Sequence, residues 1–327
     1  MKNLTIINAE LTRKLLPMPL CIEAMAKAMV AVSASNVVLP PRLITALADP
    51  NNFFGLMPGD ANELPVYGAK VVSMHPHNPS RGLPTVQGFV TLFDSDTGSP
   101  LALVDGGELT AIRTAAASGL ATRLLAREDA GSCGIFGTGV QAVTHIDAMA
   151  AVRQLETVLV WGRDFTKATE FAAAQAERTG LSVRSTPDPA EAGACDLVCT
   201  VTASPEPILL GEWVKSGAHV NLAGAHSLTT READTRLVAK SRVYVDLMES
   251  AKNEGGDVMI PIHEGDLDAS HLLGEIGQVI VGELQGRTNE TQITLYNSLG
   301  ITTQDLYAAN AVYTQASAQN LGEQVNF

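Results

Sequence analysis

The sequence predicts an α/β protein in which a Rossmann-type doubly wound parallel sheet is joined to an α+β domain. Three observations predict it. From Gly134 to Leu222, short apolar runs alternate with helical stretches, a βαβ grammar that calls for a parallel sheet covered on both faces. Within that run, Gly137-Thr138-Gly139-Val140-Gln141-Ala142 joins a strand to a helix, the setting in which such a turn cradles phosphate. Upstream, Arg42 to Leu103 is strand-like with turn residues between the runs, which reads as an antiparallel sheet.

Taken in order, Leu20 to Ala34 places Ile22, Met25, Met29 and Val32 at helical spacing and ends at Ser35-Asn36. Pro40-Pro41 then breaks the chain. Tyr67 to Met74, Val86 to Phe93 and Leu101 to Val104 read as strands, the last two joined through the turn-like Asp94 to Ser99. Glu108 to Arg127 is an Ala-rich helix with Leu109, Ile112, Ala116, Leu120 and Leu124 along one face. Strands follow at Gly134–Phe136, Thr157–Trp161, Asp196–Thr202 and His219–Leu222, with helices at Gln141–Ala151 and Thr166–Thr179. Tyr296 to Ala316 reads as a final helix that returns to the first domain. The expected boundaries are 1–118 with the C-terminal helix 300–327, and 119–299.

The 327 residues suffice for two such domains. A net charge of −13 disfavours nucleic acid and anionic membranes, which need a basic surface. Cys21, Cys133, Cys195 and Cys199 form no Cys-x-x-Cys pair, so buried free thiols in a reducing cytosol are expected. Met1 to Leu20 has no apolar core of signal-peptide type, and a cytoplasmic location is expected. His75-Pro76-His77 offers two ligands where a metal site needs more, so no metal is expected there.

In the phosphate-binding turn, Gly137 permits the tight bend, Gly139 lets backbone approach a pyrophosphate, and Ala142 lets the helix pack on the strand. The helix N-terminus adds free N–H groups and partial positive charge. After the second strand stands Gly162-Arg163-Asp164. An acid there bonds the ribose of NAD, and an Arg accommodates the 2′-phosphate of NADP. Arg163 favours NADPH; Asp164 keeps NADH open.

These residues sit in a chain that resembles the ornithine cyclodeaminase/μ-crystallin family over nearly its whole length. The matching blocks are Gly82-Leu83-Pro84-Thr85-Val86, Leu109 to Ser118, Gly137 to Ala142, and Ser298-Leu299-Gly300. The resemblance implies a substrate-binding and dimerisation domain, a nicotinamide-binding domain and a homodimer. It also implies that Arg42, Lys70 and Arg113 grip a substrate carboxylate, and that Thr85, Arg113, Thr202 and Ser298 contact cofactor. All three cations lie in apolar contexts, where such groups are paired or await an anion. Glu63, Asp105 and Glu108 are the candidates for a purely structural pairing.

Two positions depart from the family's cyclodeaminases, which resemble this chain but carry a Glu before Leu-Met-Pro and an Asp after Gly-Gly. Here those positions are Gly55, before Leu56-Met57-Pro58, and His226, after Gly224-Ala225. Without the two acids a second amine has no partner, which disfavours ornithine. The expectation is an NAD(P)H-dependent ketimine reductase that converts Δ1-pyrroline-2-carboxylate, or its six-membered homologue Δ1-piperideine-2-carboxylate, to L-proline or L-pipecolate. His226 is the candidate proton donor to the imine nitrogen, directly or through a water, since histidine as a residue type titrates near neutrality; its structural alternative is capping a helix at Ser227-Leu228-Thr229. The competing functions are an ornithine cyclodeaminase, an open-chain amino-acid dehydrogenase and a non-catalytic crystallin-like binder.

Overall fold

The structure, a computed structural model, describes residues 3–326. The chain divides into two compact units, Met1–Arg113 with Ile301–Phe327, and Thr114–Gly300. The first boundary falls inside a helix, so no loop or change of composition marks it.

The first unit opens with β1 (Asn3–Ile7), α1 (Ala9–Leu15), α2 (Met18–Ser33), β2 (Val37–Val38) and β3 (Leu43–Ala46). It continues through β4 (Phe53–Ala61), β5 (Val66–Met74), β6 (Val86–Asp94) and β7 (Pro100–Asp105) into α3 (Gly106–Leu125). The second unit contains β8 (Ser132–Phe136), α4 (Val140–Val152), β9 (Thr157–Trp161), α5 (Phe165–Thr179), β10 (Val183–Ser185), α6 (Pro189–Gly193), β11 (Leu197–Thr200) and β12 (His219–Leu222). After these come α7 (Thr235–Lys240), β13 (Ser241–Val245), α8 (Met248–Glu254), α9 (Gly256–Glu264), β14 (Leu272–Glu275), α10 (Ile276–Ile280) and β15 (Ile293–Asn297). The chain re-enters the first unit as α11 (Thr302–Gln319) and β16 (Glu323–Asn326).

The sheet of the first unit has the order β16-β1-β7-β6-β5-β4-β2, with β3 also paired to β4. The predicted antiparallel β5-β6-β7 meander is present. The β1–β7 pair is parallel, so the sheet is mixed. Strand β4 escaped the sequence reading because Gly55, Pro58 and Gly59 give it the composition of a turn. Proline is tolerated here: β3 pairs with Phe53–Leu56 and β2 with Asp60–Ala61. Pro58 therefore faces neither strand on that side, where its missing N–H removes no ladder bond. Residues 66, 68, 70 and 72 face inward along β5, against α11. No single described helix is long and apolar enough to cross a membrane; one bent pair, α1 with α2, passes that test by length and composition, and α2 packs on α11.

The sheet of the second unit is parallel throughout, in the order β10-β9-β8-β11-β12-β15-β13-β14. The order reverses between β8 and β11, which places the ligand crevice of such a fold beyond the carboxyl ends of those strands. The expectation of a helix from Tyr296 is corrected: Tyr296 and Asn297 end β15, fully buried between β12 and β13. The chain breaks at Gly300, whose φ is +76°, and the helix starts at Thr302. All four cysteines are buried and unpaired.

Candidate functional site

Two groups of predicted residues take shape, one in each unit. In the first unit Lys70 lies midway along β5, opposite Met57 and Val90, and Arg113 lies on the buried face of α3. Each is 4% exposed, and between them lies the fully buried Asp305 of α11. Arg113 donates from Nε to Asp305 Oδ1 at 2.8 Å and from Nη1 to Gln304 Oε1 at 2.8 Å. Lys70 Nζ stands 3.4 Å from each Asp305 oxygen. The Lys70 ammonium is held below the usual lysine range, to about 8. Burial is the main cause, opposed by Asp305, with Arg113 and then Arg42 adding repulsion. Arg42, at the entry to β3, thus acts on the same group.

This arrangement bears on both readings of the cations. Glu108 is not their partner, for it binds Arg13. Lys70 and Arg113 do have a structural partner, Asp305, which the sequence reading missed. Yet one carboxylate shared by the buried Lys70 and Arg113 leaves a surplus of positive charge in a poorly solvated place. Such a surplus favours a bound anion, and Arg suits a carboxylate through paired hydrogen bonds.

Gly55 lies on β4 opposite Val72 and Ile44. A Cβ added there would come within 2.8 Å of a Val72 methyl and 3.0 Å of Ile44 Cδ1. The strand is packed around a glycine, so a glutamate at this position has no room without displacement of its neighbours.

In the second unit Gly137 closes β8 with φ +129°, and a Cβ there would sit 3.1 Å from the Val201 carbonyl oxygen. Gly139 caps α4 with no side-chain hydrogen bond, and a Cβ on it would meet nothing within 4 Å. Val140 is 66% exposed, and Gln141 carries a buried Oε1 without a partner. Thr138 lies beside Gly162, its methyl 3.3 Å from where a Cβ would be. Open space before uncapped helix N–H groups, at the switch point of a parallel sheet, fits a dinucleotide pyrophosphate.

The helix behind the turn is fixed by a buried histidine. His145 is pushed down to about 4, chiefly by burial, and is therefore neutral. Its Nδ1 lies 2.8 Å from the Gln141 carbonyl, and its Nε2 lies 3.0 Å from Ser118 Oγ. A neutral ring satisfies both by donating from Nδ1 and accepting at Nε2.

Beyond the end of β9 at Trp161 stand Arg163 and Asp164, both exposed. Asp164 caps α5 by accepting from Lys167 N at 3.2 Å and lies 3.9 Å from Lys167 Nζ, so one of its oxygens is already engaged. Thr85 is exposed just before β6, its carbonyl accepting from His75 N. Ser298 is buried, with its Oγ unpaired, and is flanked by Leu299 and Gly300, whose N–H groups both donate to Asp246 Oδ2. Thr202 is different: its N–H and hydroxyl both donate to the buried Glu232. His226 is exposed on the loop after β12. The expected helix after it is absent, and Ser227 Oγ, not His226, accepts from Thr229 N. Among the described residues, no group of three His, Cys, Asp or Glu side chains gathers to hold a metal.

Asp305 could have been noticed as the lone charge in Thr302–Gln319. Glu232 gave no signal, since Arg231-Glu232-Ala233-Asp234 has the composition of a solvated turn.

Comparison with known proteins agrees with this geometry. A reductase named Δ1-pyrroline-2-carboxylate reductase from Bacillus cereus is 36% identical over 324 residues, 98% of this chain and 99% of that protein. The structure of Thermococcus litoralis Δ1-pyrroline-2-carboxylate reductase, in complex with NADH and L-proline, superposes with a TM-score of 0.95 at 34% identity, covering 98% of this chain and 100% of that one. An archaeal alanine dehydrogenase dimer with bound NAD superposes at 0.93 with 30% identity, covering 99% of each chain. Residues 3–320 match one family description from end to end, and on that match the chain belongs to the ornithine cyclodeaminase/mu-crystallin family.

Proposed function

We propose that this protein is an NAD(P)H-dependent ketimine reductase that converts Δ1-pyrroline-2-carboxylate, or Δ1-piperideine-2-carboxylate, to L-proline or L-pipecolate. The observation that carries the substrate class is the pairing of a buried cation surplus with a glycine, Gly55, at the strand position where an acid would serve a second amine. Lys70 and Arg113 sharing Asp305, with Arg42 acting on the same charges, suit one carboxylate. The crowding at Gly55 disfavours an acid at that position of β4 for the second amine of ornithine. The relatives that carry the names Δ1-pyrroline-2-carboxylate reductase and ketimine reductase mu-crystallin support the same chemistry.

Gly137 to Gln141 would hold the pyrophosphate of a reduced nicotinamide dinucleotide, which would supply a hydride to the imine carbon. The chain's own residues do the rest. Arg113 and Lys70, oriented by Asp305, hold the carboxylate and thereby fix the face of the ring, and orientation of this kind is worth several kcal/mol of barrier. The nitrogen must gain a proton as the carbon–nitrogen double bond is reduced. His226, on the solvent-exposed loop after β12, supplies that proton directly or through water.

NADPH is the preferred cofactor in this reading. Arg163 is exposed at the end of β9 to meet a 2′-phosphate, and Asp164 is partly committed to the α5 cap. Thr85 and Ser298 are assigned to the cofactor, and Ser298 Oγ is a buried hydroxyl in want of a partner. The protein acts in the cytoplasm as a homodimer. Exposed Leu43, Phe54 and Phe89, on β3, β4 and β6, share one face of the sheet, an apolar surface of the kind that a second copy covers.

The test offers one preparation three substrate sets: the cyclic imine with NADPH, pyruvate plus ammonia with NADPH, and L-ornithine with NAD. Turnover of the imine at least a hundredfold above the other two is expected. Ammonia release from ornithine at a comparable rate would overturn the reading in favour of a cyclodeaminase.

A further inference from the structure

Glu232 is fully buried on the loop before α7, yet four donors converge on its carboxylate. Thr202 N donates to Oε1 at 2.7 Å and Thr202 Oγ1 to the same oxygen at 2.6 Å. Thr200 Oγ1 donates to Oε2 at 2.7 Å and Gly224 N to Oε2 at 2.8 Å. These donors belong to two different strand ends, that of β11 and that of β12. The first lies at the switch point of the sheet, and Thr202 reaches the phosphate-binding turn: a Cβ on Gly137 would lie 3.3 Å from its methyl. The second leads directly to Ala225 and His226.

Each carboxylate oxygen meets one backbone N–H, which can only donate, and one hydroxyl, which can donate too, a setting that favours the ionised form. Burial pushes the Glu232 acid upward, opposed by these same bonds. Its own backbone is fixed in turn. Asp257, at the start of α9, accepts from Glu232 N at 2.7 Å and Ala233 N at 2.9 Å through Oδ1. Burial and then the Glu232 charge push Asp257 up to about 7, and its Oδ2 has no partner, so a proton can reside there without clash. A Cβ on Gly224 would fall on the Thr202 carbonyl oxygen and the Glu232 carboxylate, so the two loops close round this group with no space left over.

From this convergence we infer that Glu232 is a positioning residue of the cofactor site: one buried carboxylate sets Thr202 against the phosphate-binding turn and fixes the Gly224–His226 loop in register with it. The inference rests on the cofactor assignment above. It assigns Glu232 no contact with substrate or cofactor. Its action runs through Thr202 and Gly224, whose backbone N–H groups cannot rotate to suit another partner as a hydroxyl can.

The Glu232→Gln variant tests this, since its amide must present an NH2 to one of those backbone donors. NADH and NADPH dissociation constants are measured by protein-to-nicotinamide fluorescence on the full-length protein, well below the melting temperature of each variant. Thr200→Val is the control, because it removes a bond to the other oxygen of the same carboxylate and leaves both Thr202 contacts in place. Glu232→Gln is expected to weaken cofactor binding at least tenfold and to leave the imine KM at saturating cofactor within twofold. Thr200→Val is expected to lower the melting temperature while cofactor affinity stays within twofold. If Glu232→Gln does not fold, Thr202→Val reports instead and is expected to weaken binding threefold or more. If the variant folds, the double variant with Thr202→Val should be no weaker than Glu232→Gln alone, since both changes break one link. Unchanged cofactor affinity in Glu232→Gln, or equal losses in it and in Thr200→Val at matched stability, would overturn the inference. A wild-type protein that binds neither nucleotide would instead remove the cofactor assignment itself.

Discussion

Arg113 donates to Asp305 Oδ1 at 2.8 Å, and Lys70 Nζ lies 3.4 Å from that same oxygen. One acid therefore orients two cations, and all three groups are buried. Removing its charge should be costly. Asp305→Asn is expected to destabilise the fold by about 3 kcal/mol or more, the scale for breaking a buried ion pair. Denaturant titration measures this, and a loss under about 1 kcal/mol would show that the two cations do not depend on Asp305.

Arg42 acts on the same charge cluster from a partly buried position at the entry to β3. Its loss should therefore affect binding more than folding. Arg42→Ala is expected to raise the imine KM roughly 10- to 100-fold, corresponding to one charged hydrogen bond of about 1.5–3 kcal/mol. Stability should change by less than about 1 kcal/mol. Steady-state kinetics beside thermal melting separate the two effects.

The pH dependence has opposite signs for binding and for stability. Lys70 titrates near 8 when folded and near about 10.4 when unfolded. Between those values the unfolded chain binds more protons, so the Lys70 contribution to stability improves as pH rises through the window. Carboxylate binding moves the other way, because the ammonium is lost above pH 8. We expect kcat/KM for the imine to fall as pH rises above about 8 while the melting temperature, corrected with a Lys70→Met control, does not fall with it. A kcat/KM profile still flat at pH 9.5 would exclude Lys70 from the anion site.

Gly137 and Gly139 should respond differently to substitution. Gly137→Ala forces a side chain into a left-handed backbone region beside Val201, at a cost of about 1–3 kcal/mol. At Gly139 a side chain meets only open space. Gly139→Val should keep its melting temperature yet lose nucleotide binding at least tenfold, because the valine fills the room reserved for phosphate. Fluorescence titration of folded Gly139→Val decides this; undiminished binding would place the pyrophosphate elsewhere.

Arg163→Ser should lower the preference for NADPH over NADH by about tenfold, the weight of one charge-assisted contact with the 2′-phosphate. The ratio of kcat/KM values for the two cofactors measures it directly. A ratio that does not move would assign Arg163 to solvent.

The parallel sheet and the turn at Gly137–Ala142 were legible in the sequence because each has a local signature, whereas Arg42, Lys70 and Arg113 were picked out through the family resemblance. The strand β4 was not, since its Gly and Pro residues are permitted only by the gap between β2 and β3. Tyr296–Asn297 read as helix because an apolar stretch of a few residues carries no decisive period, and only burial between two strands settles it. Asp305 and Glu232 were missed for a shared reason. Their partners lie far away in sequence, Lys70 at a separation of 235 residues and Thr202 at 30, and no local pattern reports a contact of that range.

The most direct test of the central claim follows NADPH and NADH oxidation with Δ1-pyrroline-2-carboxylate in the wild-type protein and in Arg113→Ala. The account predicts turnover by the wild type and a loss of about a hundredfold or more in kcat/KM in a folded Arg113→Ala. Absence of turnover with either cofactor, or turnover that Arg113→Ala leaves intact, would contradict it.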